Sequence, residues 1–332
     1  MSNASFLVFG AGAWGTALSI QLNKSGNEVF LSSFDQENLL KIASTRRNEK
    51  YLSGINLSDE IQVTGVTEDM LGKVDCVVIC VKSPYFKKAL SLLNHASPSF
   101  KVLWATKGFD TKSGALLSEI VSQHYGMAIE HGVLSGPTFA EELSLSKPAA
   151  ITLATDTIKD PASLAKEMSN ESLRVYISSD PIGVQLGGSL KNIIAIASGI
   201  SDAMKMGANA RAALITRGAE EMRALGKTMG ANEKTFSGLS GIGDLVLSAT
   251  DDQSRNRQLG IHIGNGGSIH SFKEVSNGVP EGVHAVSALF NAGMINDDQF
   301  PITTKIYRIL FENMSAKEAG MELMNRPLRF ED

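Results

Sequence analysis

The chain has 332 residues, of which 43% are hydrophobic and 20% are charged, with a formal net charge of -4 and a pI near 5.9. A chain of this length is long for one hydrophobic core, so two domains are expected. The acidic balance argues against a protein that binds nucleic acid or a membrane surface as a whole, and no apolar run is long enough to span a bilayer.

The first apolar segment, residues 6–9, leads directly into the glycine-rich sequence GAGAWG and then into a segment with helical periodicity. A second strand, EVFLSS, completes the βαβ unit in which such a sequence predicts a dinucleotide site. There Gly10 permits a tight turn, Gly12 lets a pyrophosphate reach backbone N–H groups, and Gly15 lets helix and strand pack closely. A glycine turn that only serves packing is the alternative.

Asp35 lies twenty residues after Gly15, where an acid beyond the second strand can bind a ribose 2′-hydroxyl. The nearest basic pair expected there is Arg46 and Arg47, at some distance along the chain, and this favours NAD over NADP. Either arginine could instead fold back onto a 2′-phosphate, and a solvated helix face is the other interpretation of the pair.

Strands and helices then alternate, as is typical of an open, mostly parallel, doubly wound sheet with helices on both faces, a Rossmann-type α/β fold. The predicted strands are IQVTG, VDCVVICV, KVLWATKG, GVLSG and AAITLAT, and two of the predicted helices are residues 85–95 and 115–126. Ligands of such sheets bind beyond the carboxyl ends of the strands. Lys107 directly follows one strand and is a candidate for binding an anionic substrate; a lysine that merely ends a strand is the alternative.

Cys76 and Cys80 lie in one predicted strand, where a disulfide between them is geometrically poor. They are expected to be core thiols of a protein in a reducing compartment, and we predict a cytoplasmic location. The first apolar run has no basic lead and enters the glycine turn, so it is expected to be structural and not a signal peptide.

From about residue 180 the strand pattern stops and helical segments follow, which predicts a nucleotide-binding domain at residues 1–179 and an α-helical domain at residues 180–332. The stretch at residues 187–206 is apolar on nearly all sides and predicts a buried central helix, with Asp180 and Pro181 as its start. Glycines at 187 and 188 indicate that another helix or a ligand approaches closely.

Lys191 lies within this apolar helix. A buried lysine is costly unless it is paired or uncharged, and burial lowers its pKa toward the range useful for acid–base chemistry. Lys191 is therefore a candidate catalytic residue, and Asn192 is placed to hold it or a substrate hydroxyl. The alternative is a lysine that extends to the surface and meets a carboxylate there.

Polar residues cluster again at residues 238–260. Asp244 follows a glycine turn, and Ser254, Arg255 and Asn256 form a group of donors. A guanidinium with neighbouring donors suits a phosphate group. The alternative is a surface turn, which the spacing alone favours.

These segments together resemble the bacterial-type NAD(P)-dependent glycerol-3-phosphate dehydrogenase family. The resemblance runs from about residue 5 to 320, and its blocks are GAGAWGTAL, LWATKG, LSGPTFAEE, GVQLGGSLKNIIAIASGISD, GANARAALITRG, GIGDL and QSRNR. It implies reversible reduction of dihydroxyacetone phosphate to sn-glycerol 3-phosphate with NAD or NADP, which supplies glycerophospholipid synthesis. It also implies a homodimer.

The resemblance further implies a set of site residues. Lys191 matches the family's proton donor and acceptor, the role that its predicted burial suggests independently, and no metal is required because a lysine cation can stabilise the alkoxide. The positions that match substrate contacts are Lys107, Gly136, Thr138, Lys191, Asp244, Ser254, Arg255 and Asn256. The positions that match cofactor contacts, beside the glycine turn, are Ala13, Trp14, Phe34, Lys107, Ala140, Arg255, Val279 and Glu281.

The sequence departs from the family pattern at a few positions. Phe34 stands where many relatives carry histidine or arginine, which counts against tight binding of NADP. Pro280 precedes Glu281 where an aliphatic residue is usual, so the nearby contact loop is expected to differ. Ser189 and Ala203 are small replacements around the Lys191 helix and are not expected to abolish activity.

Two other functions remain open at this point. Another dehydrogenase of the same two-domain plan, such as a 3-hydroxyacid dehydrogenase or a ketopantoate reductase, also pairs a nucleotide fold with a helical-domain lysine, and the substrate phosphate distinguishes it. A nucleotide-sensing protein without turnover would keep GAGAWG, but it gives no reason for Lys191, Asp244 and Arg255 to occur together.

Overall fold

The computed structural model describes residues 4–94, 99–126, 128–276 and 278–327. Within these residues every strand precedes Pro181, and all elements from Pro181 onward are helices. An α/β part of the Rossmann type is therefore followed by an all-α part, which confirms the predicted fold class. The boundary between residues 179 and 180 stays a prediction.

The α/β part contains the following strands and helices. The strands are β1 (Ser5–Phe9), β2 (Glu28–Ser32), β3 (Arg47–Asn48), β4 (Leu52–Asn56), β5 (Gln62–Val63), β6 (Cys76–Ile79), β7 (Lys101–Trp104), β8 (His131–Ser135), β9 (Ala149–Ala154) and β10 (Leu173–Ser178). The α-helices are α1 (Ala13–Lys24), α2 (Gln36–Thr45), α3 (Glu68–Leu71), α4 (Phe86–Leu92), α5 (Leu117–Tyr125), α6 (Ala140–Ser144) and α7 (Pro161–Met168), with a 3₁₀ turn at Ser83–Tyr85.

The main sheet has eight strands in the order β10-β9-β8-β7-β6-β1-β2-β5, and β3 and β4 form a separate hairpin. All neighbours in the main sheet are parallel except β8 and β9, which are antiparallel. The chain leaves β1 toward β2 on one side and later returns to β6 on the other side, so the strand order reverses at β1. Ligands of such sheets bind at this point, beyond the carboxyl ends of the strands.

The central strands β1 and β6 are buried along their whole length, as their continuous apolar sequences predict. The sequence did not predict β10, because this strand lies at the edge of the sheet and several of its side chains are exposed. Helix α4 covers most of the helix predicted at residues 85–95, and His95 lies outside the described residues.

The helical part has eight α-helices among its described residues. They are α8 (Pro181–Ala203), α9 (Ala208–Thr228), α10 (Asp244–Thr250), α11 (Arg255–Gly264), α12 (Ile269–Val275), α13 (Glu281–Asn291), α14 (Pro301–Phe311) and α15 (Ala316–Met324), with a 3₁₀ turn at Glu233–Ser237 and a π turn at Leu239–Gly243. None of the helices in the described parts of the chain combines the length and apolar character that a membrane span requires.

Helix α8 is the centre of the helical part. Asp180 caps it by accepting a hydrogen bond from the Gly183 N–H at 2.9 Å, and Pro181 is its first residue, as predicted. Residues 183–201 are all buried, and α9, α10, α11, α13 and α14 pack around them. A Cβ atom at Gly187 would collide with the Ser240 carbonyl, so the predicted close approach is confirmed and the partner is a backbone segment.

Candidate active site

Lys191 lies in the middle of α8 and is only 6% exposed. Its Nζ donates to Asp244 Oδ1 at 2.7 Å and to Ser248 Oγ at 2.5 Å. Asp244 and Ser248 are one turn apart on α10, so both side chains face α8. Lys191 therefore has a carboxylate partner but does not reach the surface, and the surface alternative is wrong.

The carboxylate of Asp244 also accepts a hydrogen bond from Lys107 Nζ at 2.5 Å. Lys107 follows β7 in the α/β part, so this contact joins the two parts of the molecule. The Lys107 side chain is 24% exposed, whereas that of Asp244 is 2% exposed. Two cations on one buried carboxylate leave a net positive charge, which favours an anionic ligand or a developing alkoxide at this place.

Burial changes the pKa values of Lys191 and Asp244. It lowers the pKa of Lys191 to about 8, with Asp244 opposing the change and Lys107 adding to it. Burial alone would raise the pKa of Asp244, but the two lysines hold it below its usual value. The carboxylate is therefore ionised at neutral pH, while Lys191 can gain and lose a proton in a range useful for acid–base chemistry.

A chain of amide hydrogen bonds lies beside Lys191. Asn192 Oδ1 accepts from Asn256 Nδ2 at 2.9 Å, and Asn192 Nδ2 donates to the Gly188 carbonyl at 3.2 Å. Asn256 Oδ1 accepts in turn from the Gly282 N–H at 2.9 Å. These bonds link α8, α11 and α13, so the start of α11 is held next to the lysine.

The group at 254–256 forms the start of a helix and not a surface turn, so the interpretation that the spacing favoured is wrong. Ser254 caps α11 by accepting a hydrogen bond from the Arg257 N–H at 3.3 Å. Asn256 is 9% exposed and Arg257 is 8% exposed, because both side chains are paired inside the helical part. Arg255 is half-buried and donates from Nη2 to the Gly278 carbonyl at 2.5 Å.

The start of α13 meets the sheet just beyond β6. Glu281 accepts from the Ser83 N–H at 3.3 Å and from Ser83 Oγ at 2.8 Å, and Lys82 Nζ donates to the Val279 carbonyl at 3.4 Å. Burial raises the pKa of Glu281 to about 7. Pro280 occupies the N-cap position of α13 in an extended conformation, where its missing N–H costs no helical hydrogen bond.

The turn after β1 has the shape that a dinucleotide requires. Helix α1 begins at Ala13 with Gly12 as its N-cap. Among the described residues, no side chain caps this helix and no atom lies within 4 Å of where a Cβ of Gly12 would stand. A Cβ at Gly15 would overlap the Gly10 carbonyl oxygen. The first turn of α1 thus faces open space over a tightly packed base, which fits the pyrophosphate of NAD or NADP.

This turn is joined to the segment after β8. Trp14 Nε1 donates to Thr138 Oγ1 at 3.0 Å, and α1 packs against α6, which begins at Ala140. Gly136 is buried directly after β8. Residues that match substrate contacts and residues that match cofactor contacts are therefore neighbours along this edge of the sheet.

The segment after β2 carries Phe34 and Asp35. The Phe34 ring packs edge-on against Phe9, with 4.8 Å between the ring centroids. Asp35 caps α2 by accepting from the Asn38 N–H at 3.0 Å, and its other oxygen pairs with Lys50 Nζ at 2.7 Å. The sequence placed no cation nearer to Asp35 than the pair Arg46 and Arg47, but in the structure a hairpin turn brings Lys50 to it.

Arg46 and Arg47 are engaged elsewhere. Arg46 donates to the carbonyls of Ser58 and Ile61, and Arg47 donates to Asn56 Oδ1 at 2.7 Å. Their guanidinium groups bind the segments around β4 and β5 and do not fold back toward the glycine turn.

Only some of the predicted site residues contact one another directly. Lys107, Lys191 and Asp244 touch one another, whereas Thr138 is bound to the glycine turn. Ser248 was not predicted, although its four-residue spacing from Asp244 on a helix is a signal that would have identified it. The sequence thus named the three charged residues, but it predicted neither their contacts with one another nor the hydroxyl of Ser248.

The fold and the site define a class of dehydrogenases. In this class a parallel sheet holds the nucleotide, and the substrate binds against a helical domain. Sequence comparison narrows that class. Residues 5–160 match the family model described as NAD-dependent glycerol-3-phosphate dehydrogenase N-terminus, and residues 180–321 match the corresponding C-terminus model. The chain belongs to the NAD(P)-dependent glycerol-3-phosphate dehydrogenase family.

Individual relatives are similar to this chain over nearly its whole length. The glycerol-3-phosphate dehydrogenase (NAD(P)+) of Pseudoalteromonas translucida strain TAC 125 is 39% identical over 332 residues, which is 99% of each chain. That of Sodalis glossinidius is 40% identical over 98% of this chain and 96% of its own. The crystal structure of glycerol-3-phosphate dehydrogenase from Coxiella burnetii matches with a TM-score of 0.91 at 34% identity, over 97% of this chain and 99% of its own. The resemblance predicted from the sequence is confirmed.

Proposed function

We propose that this chain reversibly reduces dihydroxyacetone phosphate to sn-glycerol 3-phosphate with NAD or NADP, and so supplies glycerophospholipid synthesis. The observation that carries the proposal is the buried cluster of Lys191, Asp244 and Lys107, which lies where the helical part meets the carboxyl edge of the nucleotide-binding sheet. The relatives' names, which specify glycerol-3-phosphate dehydrogenases, support the choice of substrate.

Lys191 is proposed as the proton donor to the developing alkoxide during reduction and as the proton acceptor in the reverse direction. A pKa of about 8 allows both forms near physiological pH. Asp244 and Ser248 fix the position of Nζ, and the nearby positive charge of Lys107 stabilises an alkoxide. When bound, the nicotinamide cofactor supplies or accepts the hydride.

The substrate phosphate is proposed to bind Arg255, with Ser254 and Asn256 beside it. Arg255 is half-buried in the first turn of α11, where a guanidinium and a helix N-terminus both favour an anion. Holding the phosphate away from the reacting carbon orients the ketone without a role in proton transfer. Gly136 and Thr138, beyond β8, are proposed to complete the substrate site with Lys107.

The cofactor is proposed to lie along the carboxyl edge of the sheet, from the glycine turn to the start of α13. The open space over Gly12 and the positions of Phe34, Lys107 and Ala140 beyond the ends of β2, β7 and β8 support this placement. The proposed cofactor residues are Gly10, Gly12, Ala13, Trp14, Gly15, Phe34, Lys107, Ala140, Arg255, Val279 and Glu281. Residues 1–179 are proposed as the cofactor domain and residues 180–332 as the substrate domain.

We also propose that the enzyme is a cytoplasmic homodimer. The thiols of Cys76 and Cys80 are unpaired, which supports a reducing compartment. The helical part has an apolar groove of about 600 Å³ between α9, α14 and α15, edged by Met206 and Met324, which are 45% and 81% exposed. Exposed apolar surface of this kind is typical of subunit contacts. Light scattering is expected to give the mass of a dimer, and a monomer mass at micromolar concentration would contradict the proposal.

The main test is oxidation of NADH and of NADPH in the presence of dihydroxyacetone phosphate. Replacing Lys191 by Ala is expected to lower turnover by about 10²–10⁴-fold or more, because the proton donor is lost. Lys227→Ala is the matched control, since Lys227 is exposed on α9 and pairs only at the surface with Glu233. Circular dichroism establishes that each variant is folded.

Two results would contradict the proposal: full activity of Lys191→Ala, or no turnover by the folded wild type with either nucleotide. Measuring Arg255→Ala distinguishes this reaction from those of two-domain dehydrogenases whose substrates carry no phosphate. It is expected to raise the KM for the phosphorylated ketone about a hundredfold, since a charged phosphate contact is removed. An unchanged KM would favour a substrate without phosphate.

A further inference from the structure

The segment that follows β2 lies directly beside the glycine turn. The Gly10 N–H donates to the Ser32 carbonyl at 2.8 Å, and Phe9 is the register partner of Ser32. Residues 33–35 therefore leave the sheet next to the turn that is proposed to hold the pyrophosphate. In folds of this kind the adenosine ribose of a dinucleotide lies at the end of the second strand.

A buried amide fastens the hairpin of β3 and β4 to the same place. Asn48 is fully buried; its Nδ2 donates to the Ala11 carbonyl at 2.9 Å and to Thr16 Oγ1 at 2.7 Å, and its Oδ1 accepts from Asn38 at 3.2 Å. The hairpin is thus tied to the glycine turn, to α1 and to α2. Lys50 follows Asn48 by two residues, so these bonds also set where Lys50 stands.

Lys50 and Asp35 form an ion pair of 2.7 Å at this edge. Their side chains are 49% and 33% exposed, so both can be reached by a ligand. One oxygen of Asp35 caps α2, and each carboxylate oxygen can accept more than one hydrogen bond. A second cation is near, because Lys88 Nζ lies 4.8 Å from the centroid of the Phe34 ring.

We propose that Lys50 and Asp35 together discriminate between the two cofactors: Lys50 binds the 2′-phosphate of NADP, and Asp35 accepts a hydrogen bond from the 2′-hydroxyl of NAD. This inference rests on the proposed placement of the cofactor along the glycine turn. A 2′-phosphate carries a charge of about −1.5 to −2 at neutral pH. It competes with Asp35 for the lysine, whereas a hydroxyl leaves the ion pair intact.

The pair also accounts for the absence of a basic residue at position 34. Phe34 by itself counts against tight binding of NADP, but in this proposal Lys50 supplies from the hairpin the cation that position 34 lacks. Because the hairpin is held by Asn48, the charge is fixed in place before the nucleotide arrives, which reduces the entropy lost on binding.

The experiment is calorimetric titration with adenosine 2′,5′-bisphosphate and with 5′-AMP, two fragments that differ in the 2′-phosphate alone. Lys50→Met is expected to weaken binding of the bisphosphate by about tenfold or more, since a charge-assisted contact is lost, and to change 5′-AMP binding by less than about twofold. Lys73→Met is the matched control, because Lys73 forms a similar exposed ion pair, with Asp69, and has no contact with Asp35 among the described residues. It is expected to affect neither fragment.

Asp35→Asn provides an independent arm, because asparagine retains the helix cap and removes the charge. The bisphosphate is expected to bind more tightly to this variant and 5′-AMP more weakly. Raising the salt concentration should reduce the preference of the wild type for the bisphosphate, and should do so less in Lys50→Met.

An equal effect of Lys50→Met on both fragments, or no effect on either, would overturn the inference while leaving the cofactor placement intact. A folded wild type that binds neither fragment would overturn the placement on the glycine turn as well.

Discussion

Asp244 is the residue on which the charged centre depends. It is the shared acceptor for Lys191 and Lys107, which approach it from different parts of the chain. Without it, two cations would face each other in a buried site, and removing one partner of a buried ion pair costs about 3–5 kcal/mol. The carboxylate therefore makes it possible to keep a lysine inside an apolar helix.

The first prediction concerns the pH dependence of the reaction. In the proposed mechanism, reduction needs Lys191 protonated and oxidation needs it neutral, and its pKa is lowered to about 8. The rate of ketone reduction is therefore expected to fall as the pH rises through about 8, and the rate of alcohol oxidation to rise over the same range. Steady-state rates in both directions between pH 6 and 10 measure this.

Asp244→Asn provides the control for that prediction. The aspartate opposes the effect of burial on Lys191, so its loss should lower the pKa of Lys191 further and move both pH limbs to lower pH. If the two pH–rate curves do not move in this variant, a group other than Lys191 is responsible for the pH dependence.

The sequence predicted these residues unequally. Lys191 could be identified because a single cation in a long apolar helix is conspicuous. Its pairing with Asp244 could not, because the two are 53 positions apart and only the packing of α10 on α8 brings them together. For the same reason Lys50 escaped notice as the partner of Asp35, since a hairpin returns it to a segment that it follows by 15 positions.

At the scale of elements, the crossing of α8 and α11 determines the shape of the site. A Cβ at Gly199 would overlap the Arg257 carbonyl, and a Cβ at Gly260 would overlap the Ile196 carbonyl. The two helices therefore touch through their backbones. This close crossing brings the first turn of α11, with Asn256, into hydrogen-bonding reach of α8.

Gly199→Ala is expected to destabilise the protein by about 1–3 kcal/mol, because the added methyl group forces the helices apart. Helix propensity alone predicts the opposite, a gain of about 1 kcal/mol. The free energy of unfolding in urea distinguishes the two.

Gly320→Ala on α15 is the matched control for the helix crossing. A Cβ there would meet only the end of the Met206 side chain, at 3.6 Å, so it is expected to be neutral or stabilising. A Gly199→Ala protein as stable as this control would show that the crossing has room to relax.

Local patterns explain which elements the sequence predicted. The β1–α1–β2 unit was predicted from its glycine turn between two apolar strands, and α8 from its long apolar stretch and its start at Asp180 and Pro181. The polar start of α11 favoured a surface turn in the sequence because its polar residues have their partners elsewhere in the fold, Asn256 at Asn192 and Arg257 at Asp202. Buried polar networks of this kind leave no apolar pattern in the sequence.

At the scale of the whole molecule, buried carboxylates tie stability to pH: Glu221 and Glu281 both have a pKa raised to about 7, and Glu221 lies outside the proposed site. Glu221 is 6% exposed and accepts hydrogen bonds from the Ile302 N–H at 2.6 Å and from the N–H of Thr303 at 3.0 Å, at the start of α14. Burial raises its pKa from 4.5 to about 7. The hydrogen bonds from α14 limit the shift but do not cancel it.

Stability is therefore expected to decrease as the pH rises from about 4.5 to about 7, because in this range the unfolded chain has released a proton that folded Glu221 still holds. The contribution is fully present below pH 4.5 and amounts to about 3 kcal/mol by linkage. Urea unfolding at a series of pH values measures it. Glu221→Gln should reduce the slope of this part of the profile by about half, because Glu281 contributes a similar change over the same range. An unchanged slope in that variant would assign the effect to other groups.

The bond between Trp14 and Thr138 has an optical consequence. The chain has two tryptophans. Trp104 is fully buried and stacks on His131, so its emission is shielded from events at the site. Trp14 stands in the glycine turn with its indole N–H held by Thr138, beside the place proposed for the nucleotide, so binding there should change its surroundings. Trp14 can therefore report nucleotide binding by its fluorescence, and in Trp14→Phe the emission of Trp104 should not change when NAD+ or NADP+ is added. The oxidised nucleotides are used because reduced nicotinamide accepts energy from a buried tryptophan without contact.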